Sequence, residues 1–323
     1  MRAFWPSFLY YIKMYRTSSL YKFHNIHNPS IIQKNIKKEL QNHSIKGTIL
    51  IGEEGINGTI SSGNIISINK ALDYIKSLEG FRDIDIKHSL SFKNPFVRLK
   101  VKLKNEIVTI GDTSIKPNDL VGKYVEPLSW NKLVNDKDVL LIDTRNNYEI
   151  SIGAFKNAIN PDISKFRQFP NWLKSKEFST HDKKNKKFAM YCTGGIRCEK
   201  ASSLMKKNGF KNIYHLKGGI LKYFESIPKK DSAWRGECFV FDDRVSLKHD
   251  LSEGTFEMCH GCRMPISKED KKSQKYIKGV SCHHCHDTTS KEQKLRYMSR
   301  QKQINLAKKR NQKHIGPRDN KCI

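Results

Sequence analysis

The residues best placed to do chemistry lie in one short stretch, residues 191–200, which reads YCTGGIRCEK. An apolar run at 188–191 predicts a strand that ends just before Cys192, and the apolar spacing beyond 200 predicts a helix. Two adjacent glycines allow a curled loop with inward-pointing amide groups, and the N-terminus of the helix adds positive partial charge. Both features stabilise a sulfur anion, so the pattern predicts a reactive thiolate or persulfide at Cys192. A buried cysteine beside an ordinary Gly-Gly turn is the plain alternative.

Each position of this loop has an expected role. Cys192 is the predicted nucleophile or persulfide carrier, and Arg197 adds positive charge that stabilises the anion. Cys198 either resolves an oxidised Cys192 as a disulfide or simply packs at the start of the helix. The backbone amides expected to cradle the anion belong to Thr193, Gly194, Gly195 and Ile196.

A second group of cysteines lies near the C-terminus, as two C-x-x-C pairs separated by 19 residues. This spacing is typical of tetrahedral zinc sites. The chain beyond residue 231 is polar and has little apolar periodicity, and structural zinc contributes on the order of 10–16 kcal/mol to the folding of small peptides. We therefore expect structural zinc on Cys259, Cys262, Cys282 and Cys285. A pair of redox dithiols is the alternative, and His260, His283, His284 or His286 is available to replace one ligand.

Strong positive charge indicates a polyanionic partner. The chain has 60 Lys and Arg against 32 Asp and Glu, a net charge of +28. Nucleic acid and anionic membranes are the candidate partners, although a bias towards Ile, Asn and Lys accounts for part of the charge. Residues 291–313 hold nine Lys or Arg and one acid, which predicts a basic helix or arm. The candidate RNA contacts are Arg98, Lys100, Lys102, Lys294, Arg296, Arg300, Lys308, Lys309 and Arg310; solvated lysine rows are the alternative.

The N-terminal domain, residues 1–116, is predicted from alternating strand and helix patterns. The order strand, helix, hairpin, helix, strand indicates a ferredoxin-like, or acylphosphatase-like, α+β fold. Ser62 or Asn64 is the expected cap of the second helix. Residues 97–103 alternate apolar and cationic side chains, so we expect them to form the last strand, with one apolar face and one basic face.

The central domain, residues 117–230, follows a linker at 117–127 and a short helix for which Ser129 is the expected cap. An apolar run at 139–142 predicts a buried parallel strand that ends at Asp143 and Arg145. These two are expected to support the site, and an ion pair that holds their loop is favoured over direct catalysis. Strands alternating with helices indicate a doubly wound parallel sheet.

The remaining regions are a Cys-rich, basic C-terminal region at 231–323 and an apolar run at 1–12. That run is too short to span a bilayer and contains Pro6, so we expect no membrane anchor there. Either Met14 is the true start, or the run forms a first strand. The chain has eight cysteines, and no secretory signal in it is convincing. Metal binding or thiol chemistry in a reducing compartment is therefore favoured over a disulfide scaffold. We expect a cytoplasmic protein without a membrane anchor.

Several motifs together carry a family resemblance. Residues 192–197 resemble the active loop of rhodanese domains, and Asp143, Arg145, Glu149, Gly153 and the Asn-Pro pair at 160–161 resemble the segment before it. Residues 192–200, 52–58 (GEEGING) and 234–242 (WRGECFVFD), with the paired C-x-x-C tail, resemble the bacterial rhodanese-like tRNA uridine hydroxylases.

This resemblance implies conversion of the wobble uridine of tRNA to 5-hydroxyuridine. It also implies Cys192 as the catalytic cysteine, O2 as co-substrate with an unidentified electron donor, and tRNA as the partner. No protein partner is predicted. The sequence leaves two other functions open. The same loop would serve a sulfurtransferase that passes persulfide sulfur to tRNA or a small thiophile. An RNA-binding or zinc adaptor with an inert rhodanese fold is the third reading, against which Cys192 argues.

Overall fold

The N-terminal domain is a five-stranded sheet with two helices on one face, in a computed structural model that describes residues 14–312. The expectations for residues 1–12 lie outside the described part of the chain. The elements are β1 (Tyr15–Phe23), α1 (Pro29–Asn42), β2 (Lys46–Gly52), β3 (Gly55–Ser62), α2 (Ile65–Ser77), β4 (Asp85–Ser91) and β5 (Leu99–Leu103). The strand order is β4-β1-β3-β2-β5. The first four strands and two helices confirm the predicted ferredoxin-like arrangement.

Both helices form because their apolar residues recur on one side. Ile36 and Leu40 of α1 and Ile68 and Leu72 of α2 are buried against the sheet. Asn64 caps α2, since its side chain accepts hydrogen bonds from the amides of residues 66 and 67 at 2.9 and 3.2 Å. Of the two expected caps, the structure therefore uses Asn64.

We expected the alternating segment at 97–103 to be the last strand of the ferredoxin-like unit, and this prediction is wrong. That place belongs to β4, whose sequence DIKHSLS has too few apolar residues to predict a strand. Instead, β5 pairs in parallel with β2 at the opposite edge of the sheet. Because it is an edge strand, only Val101 is buried, while Val97 and Leu103 are exposed. The predicted basic face is present, with Lys102 exposed and Lys100 half-buried, but the apolar face is incomplete.

The central domain is a doubly wound parallel sheet, as predicted. The elements are β6 (Lys123–Val125), α3 (Pro127–Val134), β7 (Val139–Asp143), α4 (Asn147–Ile150), β8 (Gly153–Phe155), α5 (Phe169–Ser175), α6 (Thr180–Asn185), β9 (Lys187–Tyr191), α7 (Ile196–Lys207), β10 (Asn212–Leu216) and α8 (Gly219–Ser226). The strands of the sheet run in the order β6-β10-β9-β7, all parallel. One apolar cluster beneath α3 and α8 and another beneath α5 and α7 cover its two faces.

The start of α3 differs from the prediction. The helix begins at Pro127 with Glu126 at the N-cap, so Ser129 lies inside the first turn and does not cap it. Proline favours the first helical position, because its φ angle already matches the helix and its missing N–H would have no partner there. The linker proline is therefore the helix start.

The C-terminal region is a set of short hairpins followed by one long helix. Its elements are β11 (Trp234–Gly236), β12 (Cys238–Phe239), β13 (Ser246–Leu247), β14 (Glu257–Met258), β15 (Pro265–Ile266) and α9 (Lys291–Lys309). β11 pairs with β8, which attaches the region to the central domain. No residue of α9 is buried, in agreement with the predicted basic helix. None of the helices between residues 14 and 312 is long and apolar enough to cross a membrane.

A buried lysine joins the N-terminal and central domains. The Lys200 ammonium, on α7, lies 2.7 Å from a Glu54 carboxylate oxygen and 2.9 Å from one of Glu106. Its side chain is fully buried, and Glu54 sits in the turn between β2 and β3. A buried ion pair that loses one partner leaves an uncompensated charge and typically costs about 3–5 kcal/mol. This cluster therefore holds the β2–β3 hairpin firmly against α7.

Candidate active site

The loop from Cys192 to Gly195 curls around the Cys192 sulfur. The amide of Gly195 donates to Sγ at 3.1 Å, and the amides of residues 197 and 198 also point at it. Gly195 adopts a φ of +105°, which L side chains rarely adopt. The cradle therefore exists, although its amides are those of Gly195, Arg197 and Cys198 and not the whole run from Thr193 to Ile196.

The start of α8 fixes the loop from the other side. The amides of Ile220 and Leu221 donate to the carbonyl oxygens of Cys192 and Thr193 at 3.0 and 3.1 Å. A Cβ at Gly219 would lie 2.5 Å from the Cys192 carbonyl oxygen, so only glycine fits there. The Gly218-Gly219 pair thus lets α8 approach the loop closely.

Of the two neighbouring thiols, Cys192 and Cys198, Cys192 is the one that ionises more readily. Its side chain is 1% exposed, and burial alone would raise its pKa. A hydrogen bond from the Cys198 thiol, the charge of Arg197 and the cradle amides outweigh burial and lower the pKa of Cys192 well below its usual value. Burial and the neighbouring Cys192 anion raise the pKa of Cys198. Cys198 is therefore the protonated donor and Cys192 the thiolate.

Arg197 is held by a carboxylate that no local pattern would connect to it. Its two terminal nitrogens each donate to one oxygen of Glu149 at 2.6 Å, a bidentate pair with Glu149 fully buried. Burial would lower the pKa of Arg197, but Glu149 and Cys192 together raise it. The guanidinium therefore stays charged beside the sulfur, and Glu149 fixes its position.

Asp143 and Arg145 form the buried ion pair that we favoured. The guanidinium donates to Asp143 at 2.9 and 2.6 Å and to the carbonyl oxygens of Glu149 and Gly153 at 3.2 and 2.7 Å. It also stacks 4.9 Å from the Trp234 ring. The pair thus connects the end of β7 to α4, β8 and β11, and it supports the segment that carries Glu149.

Sequence reasoning missed three residues on the other side of the loop. The Tyr21 hydroxyl, from β1, donates to Glu199 Oε1 at 2.9 Å, and Tyr124, from β6, hydrogen-bonds to the same carboxylate. Burial raises the pKa of Glu199 to about 7, although both tyrosines oppose the rise. Tyr21 and Glu199 are 178 positions apart, so no spacing rule relates them. One feature of the sequence could have indicated Tyr21. It is adjacent to the core residue Leu20 in β1, so its side chain points to the face of the sheet away from the helices.

The four cysteines of the C-terminal region converge. Their sulfur atoms all lie within 4.8 Å of one another, and those of Cys262 and Cys282 are 3.7 Å apart. A tetrahedral zinc with Zn–S bonds of about 2.3 Å requires sulfur atoms about 3.8 Å apart, so the group fits. Two of the candidate histidines contact carboxylates instead, since His283 lies 3.6 Å from Asp270 and His286 lies 2.8 Å from Asp287.

The candidate RNA contacts occupy two surfaces. Arg98 and Lys102 are exposed and Lys100 is half-buried at the β5 edge, while Lys294, Arg296, Lys308, Lys309 and Arg310 lie exposed or half-buried along α9 and its end. Arg300 is different, because its guanidinium donates to the carbonyl oxygens of His260 and Gly279 at 2.7 and 3.0 Å. This arginine therefore attaches α9 to the cysteine cluster.

Comparison with known proteins finds matches for most of the chain. Residues 15–107 match a family described as UPF0176 acylphosphatase like domain, and residues 127–226 match the rhodanese-like domain. A tRNA uridine(34) hydroxylase from Teredinibacter turnerae is 49% identical over 304 residues, which cover 94% of each chain.

Two solved structures resemble a third of the chain. A rhodanese-related protein from Thermoplasma volcanium is 24% identical, with 33% of this chain and 95% of that chain covered and a TM-score of 0.26. A protein of unknown function from Rhodopseudomonas palustris, called a possible tyrosine phosphatase, is 22% identical, with 34% and 84% covered and a TM-score of 0.29.

The thiol pair predicts how Cys192 responds to substitution of its neighbour. In Cys198→Ala the thiolate loses a hydrogen-bond donor, so the pKa of Cys192 should rise. We expect alkylation of Cys192 by iodoacetamide at pH 6 to slow by roughly twofold, because a pKa that rises by about one unit from about 5 nearly halves the thiolate fraction at that pH, and to be unchanged at pH 9. Cys198→Ser keeps a donor and is the matched control. Equal rates at pH 6 for the wild type and the alanine variant would contradict this assignment.

Proposed function

The chain belongs to the tRNA uridine(34) hydroxylase family, and from this membership we propose that it converts uridine 34 of tRNA to 5-hydroxyuridine at Cys192. The observation that carries the proposal is the 49% identity over 94% of the chain, and the matches to two family models agree with it. The resemblance inferred from the sequence motifs is thereby confirmed. The named activity of the relative favours hydroxylation over sulfur transfer, which uses the same loop.

Hydroxylation replaces the hydrogen on C5 of uracil by a hydroxyl group. When one atom of O2 enters the base and the other leaves as water, a donor must supply two electrons and two protons. The protein's own contribution is a sulfur nucleophile, as thiolate or persulfide, in a site that excludes water. The amides of Gly195, Arg197 and Cys198 and the charge of Arg197 stabilise negative charge there.

The uridine must leave its stack to reach this site, because Cys192 is 1% exposed. Unstacking requires little energy in a single-stranded loop such as that of an anticodon. Thr193 and Gly194 are the more exposed part of the loop, and a side chain at Gly194 would meet no atom within 4 Å. We infer that the base approaches along this edge.

The register of the N-terminal sheet relates the basic surface to the site. Tyr21 pairs with Asn57, Asn57 with Leu50, and Leu50 with Lys102, so all four side chains share the face away from α1 and α2. At about 4.8 Å per strand, Lys102 lies about 14 Å from Tyr21 across this face. A phosphate bound at Lys102 or Arg98 is therefore within a few nucleotides of the base, and α9 extends the basic surface.

The cysteine cluster is best explained as a structural zinc site. Four converging thiolates are the donor set that zinc prefers, and they lie in a region with only short strands and a small apolar cluster. Zinc held by these four cysteines would cross-link the hairpins. The free thiols and a tRNA substrate both suit the cytoplasm.

The central test is loss of product. Cys192→Ser replaces the thiol by a hydroxyl that is not ionised near neutral pH, so 5-hydroxyuridine in tRNA should fall to background in a strain that depends on this protein. The measurement is mass spectrometry of tRNA nucleosides. Cys322→Ser is the matched control, and tRNA binding by both variants shows that the protein is folded. An unchanged product level in Cys192→Ser would refute the proposal, and loss of a thiolated nucleoside instead would establish sulfur transfer.

The basic surface predicts salt-dependent tRNA binding. In Arg98→Gln/Lys102→Gln, two phosphate contacts are lost, so the slope of log affinity against log salt should decrease by about 1.4 on the single-strand coefficient. Filter binding or fluorescence anisotropy at several salt concentrations measures the slope. The matched control is Lys37→Gln/Lys38→Gln on α1, which covers the opposite face of the sheet. If the two double variants lose affinity equally, the β5 edge is not the binding surface.

The zinc assignment predicts one zinc ion per chain in elemental analysis of protein purified under reducing conditions. Cys262→Ser should abolish stoichiometric zinc and lower the melting temperature, because the hairpins lose their cross-link. His284→Ala should keep the metal, since the four sulfur atoms complete the site. Metal-free, fully folded protein, or disulfides between these cysteines, would favour the redox alternative.

A further inference from the structure

Glu199 is a buried carboxylate beside the Cys192 loop for which the proposed reaction has not yet required a role. It is 8% exposed and follows the thiol donor Cys198 directly in the first turn of α7. Its hydrogen-bond partners are tyrosines from two separate parts of the chain, β1 and β6. Among residues 14–312, no lysine, arginine or histidine forms an ion pair with it. A buried carboxyl group without such a partner is costly to ionise, so it tends to hold its proton.

Tyr21 connects this carboxyl group to the reactive sulfur. Its hydroxyl oxygen touches the loop backbone, since a Cβ added to Gly195 would lie 2.5 Å from it. The amide of the same Gly195 donates to the Cys192 sulfur at 3.1 Å. Glu199, the Tyr21 hydroxyl, Gly195 and the sulfur thus form a continuous series of contacts.

The charged groups around Glu199 determine its ionisation. From the loop, the Cys192 anion disfavours a second negative charge, and from β4, Asp85 does the same. The Lys87 ammonium pairs with Asp85 and lies 5.0 Å from the centre of the Tyr21 ring. On the β6 side, the Tyr124 ring packs 4.3 Å from that of His215, whose pKa burial lowers to about 4, so it is neutral.

We propose that Glu199 holds a proton beside the Cys192 thiolate and that Tyr21 and Tyr124 set how tightly it is held, so that the N-terminal domain contributes a group to the active site. This inference rests on the proposed function in taking Cys192 as the reactive thiol. It gives the hydroxylation a proton source inside the site, where reduction of oxygen to water requires protons. Burial raises the pKa of Glu199 to about 7, which agrees with a proton that is held at neutral pH and can be released.

A pair of alkylating reagents of similar size reads the charge next to the sulfur. Iodoacetate is an anion and iodoacetamide is neutral, so ionisation of Glu199 should slow only the first. In the wild type we expect the iodoacetate rate, relative to iodoacetamide, to fall by roughly fivefold to tenfold as pH rises through about 7. Trypsin cleaves after Lys187 and Arg197, so mass spectrometry of the resulting peptide follows Cys192 apart from Cys198.

Substitutions then test each member of the set. Glu199→Gln keeps the shape but has no charge, so the fall should disappear. Tyr21→Phe and Tyr124→Phe each remove a hydrogen bond that favours the carboxylate, so the fall should move to higher pH by about one unit. Tyr74→Phe, on α2 and the other face of the N-terminal sheet, is the matched control and should leave the profile unchanged.

The outcomes are decisive and separate from the proposed function, because the assay contains neither tRNA nor oxygen. A pH-dependent fall that persists in Glu199→Gln overturns the inference, as does a shift to lower pH in Tyr21→Phe. If the profiles behave as expected but tRNA carries no 5-hydroxyuridine, the proposed function fails and the proton-holding role stands. If the wild type makes 5-hydroxyuridine and the Glu199→Gln profile equals that of the wild type, only the inference fails.

Discussion

A sulfur anion without water around it is costly to maintain, and the central domain supplies compensation for Cys192 at several levels. The immediate compensation comes from the amides of the loop, the Cys198 thiol and the Arg197 guanidinium. Glu149 fixes the position of Arg197 through a bidentate ion pair, and the segment that carries Glu149 is held by the Asp143–Arg145 pair. The contacts to the sulfur, the Arg197–Glu149 pair and the Asp143–Arg145 pair therefore together stabilise the charge on the Cys192 sulfur.

The N-terminal domain completes this environment from the opposite side. Its sheet uses one face for its own helices and turns the other towards the Cys192 loop, where Tyr21 meets Glu199. The GEEGING segment, conspicuous in the sequence, finds its explanation here, because Glu54 pairs with Lys200 and Asn57 donates to the carbonyl oxygen of Ile107 at 2.8 Å. A rhodanese loop by itself is typical of enzymes that act on small sulfur compounds. The N-terminal sheet that covers this loop, with the basic β5 edge, favours a nucleotide of a polyanion as the substrate.

The sequence predicted the features that depend on residues close together in the chain. The strand, glycine loop and helix around Cys192, the Asn64 cap and the converging cysteines each follow from spacing within a few turns of chain. Contacts between distant segments were out of reach: Arg197 with Glu149, Glu199 with Tyr21, and Lys200 with Glu54 and Glu106. The exchange of β4 and β5 has the same origin, since both are edge strands, and which of them takes the last place of the ferredoxin-like unit depends on pairing with β1 or β2, far away in the sequence. The sequence also could not show that Arg300, predicted as an RNA contact, donates to the carbonyl oxygens of His260 and Gly279.

The first turn of α7 has a consequence for how this protein can change. Four consecutive residues there, 197–200, contact four different partners: Glu149, the Cys192 sulfur, Tyr21 and the Glu54–Glu106 pair. Successive residues of a helix are rotated by about 100°, so the turn is surrounded on all sides. Insertion or deletion of a single residue would rotate every contact out of place at once. The two domains are therefore not interchangeable modules, and a chimera that joins this N-terminal domain to another rhodanese domain would need the whole turn transplanted with it.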